Sequence, residues 1–107
     1  MPEHPIDAFM TALPARINPE AAGGTHATVQ FHFTGETIAD WTLEIDSGAC
    51  RTAPGTLANP SVTLTVDSSD FMALLNGDLQ PMPAFMQGKL RLRGDVTLAM
   101  KLPGLFS

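Results

Sequence analysis

The chain has 107 residues, enough for one domain and too few for two. It is 44% hydrophobic and 16% charged, which excludes a disordered tail. Six Lys and Arg against eleven Asp and Glu leave a net charge of −5, which argues against nucleic acid as a partner, because such binding relies on basic patches that neutralise phosphate.

The first element is a predicted helix. Ile6, Phe9, Met10, Leu13 and Ile17 fall on one helical face, Pro5 suits the first turn, and Pro14 is expected to stop the helix near Leu13. Residues 18–26 read as a loop. Val29, Phe31 and Phe33 then alternate with polar residues, Gly35-Glu36 marks a turn, and Trp41, Leu43 and Ile45 alternate in turn, which predicts a hairpin with one apolar face. Asp46-Ser47-Gly48 leads into a short strand around Ala49–Thr52, and Val62, Leu64 and Val66 give a fourth. Asp67, Ser68 or Ser69 can cap a helix carrying Phe71, Leu74 and Leu75, ended by Asn76-Gly77. A second short helix spans Pro81 to Gln87, with Met82, Phe85 and Met86 clustered and Gly88 as breaker. Leu90 and Leu92 alternate with Lys89, Arg91 and Arg93 in a fifth strand. Asp95 caps a last helix that Pro103-Gly104 is expected to stop. The sum is an α+β fold: a mostly antiparallel sheet of about five strands with helices on one face.

The remaining inventory is unusual in having six Met, six Phe, one Trp and no Tyr. Met adapts to irregular space, so this apolar set is soft. No apolar run approaches the roughly 18 residues of a membrane helix. Met1-Pro2-Glu3-His4-Pro5 lacks the pattern of a secretory leader, and the lone Cys50 fits a reducing compartment, so the cytoplasm is the expected location. Cys50 and His32 lack a placed base, and His4, His26 and His32 lack metal-site spacing. There is no nucleophile elbow, phosphate loop or HExxH, so neither catalysis nor a metal is expected.

Residues 76–106 carry a more specific pattern. Asn76-Gly77-Asp78, Phe85-Met86-Gln87-Gly88-Lys89-Leu90, Gly94-Asp95 and Leu98-Ala99-Met100-Lys101-Leu102 together resemble the C-terminal half of the sterol carrier protein type-two, or non-specific lipid-transfer, domain. Ala27-Thr28-Val29-Gln30-Phe31, Thr34-Gly35-Glu36, Pro60-Ser61-Val62-Thr63-Leu64 and Asp70-Phe71 extend the resemblance over nearly the whole chain. It implies a single lipid-binding domain over residues 1–107, with no cofactor and no catalysis. An apolar tunnel between sheet and helices would take fatty acid, acyl-CoA, sterol-like lipid or phospholipid. The sequence runs only a few residues beyond the last helix, where several members continue. The tunnel is therefore expected to be more open, covered by Leu105-Phe106, or closed by another subunit.

From the residues alone, the Met and Phe cluster is ordinary core; with the resemblance, it becomes a cavity lining. The expected floor is Phe31, Phe33, Trp41 and Leu43. The expected roof is Phe71, Met72, Leu75, Met82, Phe85, Met86, Met100, Leu102 and Phe106. Gln87, Lys89, Arg91 and Arg93 are the candidate headgroup residues, with a solvated sheet face as the alternative. The expected partner is a lipid or fatty-acyl ligand, and transient membrane contact and a homodimer stay open. The alternative function is a non-catalytic accessory or dimerisation module scaffolding a lipid-pathway enzyme.

Overall fold

Alternation of β-branched and aromatic residues with Thr and charged residues builds five strands in the computed structural model, which describes residues 5–35 and 38–106. They are β1 (His26–Thr34), β2 (Ala39–Asp46), β3 (Ala49–Pro54), β4 (Val62–Asp67) and β5 (Leu90–Gly94). The sheet order is β3-β2-β1-β4-β5. Neighbouring strands are antiparallel except β1 and β4, which run parallel with Phe31 opposite Leu64. The sheet is thus mixed and mostly antiparallel.

Val29, Phe31, Phe33, Trp41, Leu43, Ile45, Val62, Leu64, Val66 and Leu90 are all buried, so one face is continuous core. The other carries Thr, Glu, Asp, His and Arg. Gln30 is the buried exception there: its amide donates to the carbonyls of Trp41 (3.1 Å) and Gly55 (3.0 Å) and accepts from the Leu57 N–H (2.6 Å). It pins the β3–β4 loop over the polar face.

Among the described residues five α-helices accompany the sheet: α1 (Pro5–Ala12), α2 (Pro19–Ala22), α3 (Ser68–Asn76), α4 (Pro81–Met86) and α5 (Val96–Leu105). The α1 face buries Ile6 and Met10 as its spacing predicts, and Leu13 follows in a 3-10 turn, Leu13–Arg16, that takes Pro14 into its start. Asp67 caps α3 by accepting the Ser69 N–H at 2.8 Å, and Gly77, at φ +85°, closes it in the left-handed region. Asp95 caps α5 by accepting the Leu98 N–H at 3.0 Å.

Two boundaries differ from expectation. The loop over 18–26 contains α2, capped by Asn18, whose side chain accepts the N–H groups of Glu20 and Ala21. The last helix continues through Pro103 to Leu105. Proline costs one backbone bond, but the extra turn buries Leu105 and Phe106, each worth about 1.5–3 kcal/mol. The Gly35-Glu36 turn is described only at Gly35 (φ +89°), and the leader reading falls on residues 1–4; Glu36 and residues 1–4 lie outside the described residues.

Candidate functional site

The space between helices and sheet is where a guest would have to sit, and its lining follows from the two periodicities. Strand alternation aims Phe31 and Phe33 upward; the helical repeat of α3 aims Phe71 down onto them and buries Leu74 and Leu75 on the same side of the helix. The Phe31 and Phe33 rings stack at 5.4 Å, 8° apart. Phe71 lies tilted on both, at 4.9 and 5.3 Å, and Phe9 of α1 meets it edge-on at 5.9 Å. Such pairs add about 0.5–1.5 kcal/mol each beyond their buried area. Four aromatic rings thus pack together between the helices and the apolar face of the sheet, where the resemblance implies a tunnel.

The predicted lining residues divide into two groups. Phe31, Phe33, Trp41, Leu43, Phe71, Leu75, Leu102 and Phe106 are brought together in one buried cluster, against which Met72 packs half-buried. The Trp41 indole N–H donates to Asp7 of α1 at 3.2 Å, so that ring is tied into the core. Met100 is half-buried. Met82, Phe85 and Met86 are 57%, 41% and 79% exposed, so the expectation that they face inward as roof is corrected. These three sit at i, i+3 and i+4 on one side of α4. The opposite side, with Ala84 buried, lies on β5, because a small residue lets the helix backbone approach the strand. Val96, at the start of α5, is also exposed.

The headgroup expectation changes too. Arg91 and Arg93 alternate with Leu90 and Leu92, and Leu90 is buried against the helices. Both arginines therefore stand on the polar face, across the sheet from the apolar interior. Gln87 and Lys89 are exposed in the turn joining α4 to β5.

A mainly apolar surface cleft opens between α3 and the end of α5. Leu74, Leu75, Asn76 and Gly77 of α3, Leu79, Gln80 and Pro81, and Pro103 and Gly104 of α5 form its walls. Leu74 and Leu75 belong at once to this cleft and to the buried cluster. Arg16, which sequence patterning did not single out, stands beside it. Its guanidinium donates to the Leu75 carbonyl and to Asn76 Oδ1, both at 3.3 Å, and lies 5.1 Å from the centre of the Phe9 ring. A cation at the C-terminal end of α3 also suits the helix dipole. Its sole sequence signal is position: the first basic residue after the α1 apolar face. Burial pushes the Cys50 thiol pKa above the ordinary range, as for an inert cysteine rather than a nucleophile.

This layered arrangement, a five-stranded mixed sheet with helices on its apolar face, defines the fold of sterol carrier proteins. The solution structure of palmitated SCP2L2 from Aedes aegypti superposes with a TM-score of 0.71 at 26% identity, covering 94% of this chain and 90% of that one. The sec-alkylsulfatase Pisa1 from Pseudomonas sp. contains the same fold: TM-score 0.86 at 22% identity, over 94% of this chain and 16% of that one. The model of the SCP-2 sterol transfer family matches residues 7–107, and the chain belongs to that family. Hydroxysteroid dehydrogenase-like protein 2 from Xenopus tropicalis is 33% identical over 99 residues, covering 92% of this chain and 24% of that protein. The chain thus spans about a quarter of the length of such curated relatives.

Proposed function

We propose that residues 1–107 form a single domain that binds, and passes on, lipids with an acyl-like apolar portion, held between the helical layer and the apolar face of the sheet. The observation that carries this reading is the cleft between α3 and the end of α5, two of whose lining residues, Leu74 and Leu75, also belong to the buried cluster. The palmitated relative supports the ligand class. Because the aromatic rings fill the interior, uptake requires them to part. The cleft offers the route: a guest inserts past Leu75 toward Phe71 while its polar end stays near Arg16 outside.

Burial of about twelve methylenes at ~0.8 kcal/mol each supplies about 10 kcal/mol. Ordering costs of roughly 4–15 kcal/mol and displaced packing reduce this, so micromolar affinity is the expectation, which suits a carrier that must also release. α4 has a single buried residue, and its exposed methionines provide a soft apolar surface on the helical layer. The lone cysteine accords with action in the cytoplasm, and no helix among the described residues is long and apolar enough to cross a membrane.

The exposed Met82, Phe85 and Met86 support a second reading, a non-catalytic module that dimerises or docks on an enzyme through α4. Native mass spectrometry after incubation with palmitate separates the two. One palmitate per monomeric chain, with a rise in melting temperature, is the result expected of a carrier. A bare dimer with no melting shift contradicts it.

A further inference from the structure

We propose that the open polar face of the sheet carries an oxyanion site for a phosphate monoester, separate from the apolar interior. Arg91 and Arg93 of β5, Thr63 and Thr65 of β4, His32 of β1 and Leu92 line one shallow depression there. The strand register explains the convergence. Arg93 pairs with Thr63, Arg91 with Thr65, and Thr65 in turn with His32, so these side chains emerge on the same face in adjacent rows. Residues two apart on a strand stand about 7 Å apart and neighbouring strands about 4.8 Å, so two guanidinium groups and two hydroxyls frame a patch of that size. Guanidinium forks and hydroxyls are the donors that a tetrahedral dianion takes.

The charge distribution separates this patch from the rest of the face. The carboxylates on β2 are already engaged: Glu44 with Arg51 at 3.2 Å, Asp46 with His26 at 2.8 Å and Asp40 with His32 at 2.6 Å. Arg91 and Arg93 make no ion pair among the described residues, in a chain of net charge −5. Asp67 lies two residues beyond Thr65 on β4 and Asp95 two residues beyond Arg93, and both carboxylates are engaged as helix caps on the N–H groups of Ser69 and Leu98; Asp40 on β2 holds His32 Nδ1 and leaves Nε2 for the depression. Two arginines without an ion pair among the described residues thus stand among carboxylates that are each already engaged. The site lies across the sheet from the helices, so it does not serve the head of a guest in the interior, and it needs no guest there.

The phosphate could be free or the headgroup of a lipid in a bilayer, and the test distinguishes these sources. Inorganic phosphate is titrated into the 15N-labelled full chain at low salt, with backbone and arginine Nε–H resonances followed by NMR. The protein is also sedimented with phosphatidylcholine vesicles with and without phosphatidic acid. Saturable shifts confined to residues around 32, 63–65 and 91–93, weakened at least tenfold by R91Q/R93Q but not by R51Q, support the site with free phosphate as its source. Absence of those shifts, with sedimentation that depends on phosphatidic acid and is lost in R91Q/R93Q, supports it with a lipid headgroup as the source. No response in either arm, or a response that survives R91Q/R93Q or is equally lost in R51Q, overturns the proposal.

Discussion

Replacing Phe71 by alanine removes the ring that joins α3 to the sheet. Phe71 is 2% exposed and contacts Phe9, Phe31 and Phe33 within 6 Å of its centroid. Deleting such a ring costs about 3–5 kcal/mol through lost transfer free energy and the cavity left behind. A 107-residue domain holds roughly 5–16 kcal/mol in all, at 0.05–0.15 kcal/mol per residue, so the variant should remain folded but marginal. Urea unfolding followed by the fluorescence of the single, buried Trp41 measures the loss directly. The midpoint should fall at an unchanged slope. In a thermal scan, at about 4–8 °C per kcal/mol, the melting temperature should drop by at least about 12 °C. The space vacated is apolar and lies where the acyl chain is proposed to go, so palmitate should restore more stability to Phe71→Ala than to the parent chain. A loss under about 1 kcal/mol would refute the reasoning, because it would mean that the ring faces open space instead of a packed interior.

Other expectations follow from single features of the structure. Gln30→Ala leaves the Leu57 N–H and two carbonyls without their buried partner and should cost about 1–3 kcal/mol by urea unfolding, with faster hydrogen exchange at Leu57. Gly94→Ala should lose about 1 kcal/mol or more in the same assay, since φ is +106° and a Cβ would meet the Ser61 carbonyl oxygen at 2.6 Å. Met86→Glu should leave stability within about 0.5 kcal/mol of the parent, because the side chain is 79% exposed. The Cys50 thiol, raised by burial, should react more slowly with iodoacetamide at pH 8 in the native chain than in urea. Its native pKa lies above the unfolded one, so any stability it contributes is complete below the unfolded value and is lost as pH rises through the native value.

The sheet was legible because its signal is local. In Val29-Phe31-Phe33, Trp41-Leu43-Ile45 and Val62-Leu64-Val66, each apolar member is buried as alternation requires. Alternation says which residues share a face but not which strands meet, so the parallel pairing of β1 with β4 was not readable from it. Asp67 and Asp95 were readable as caps because a cap involves only the next three residues. The candidate site was less legible. A six-residue helix is too short for periodicity to fix its orientation, and Met82, Phe85 and Met86, clustered as a core face would be, turn outward because Ala84 offers the closer fit to β5. Arg16 reaches the cleft only through the tertiary contact of the α1 region with α3. Pro103 reads locally as a helix stop, and distant packing of Leu105 and Phe106 outweighs it.

The central claim is that the guest lies between the helices and the apolar face of the sheet. Isotope-filtered NMR with 13C-labelled palmitate tests it most directly. The account predicts nuclear Overhauser contacts from the acyl methylenes to Phe71, Leu75 and Leu102, with the carboxylate end near Arg16. Contacts confined to the exposed side chains of α4, or none with palmitate in excess, would contradict it.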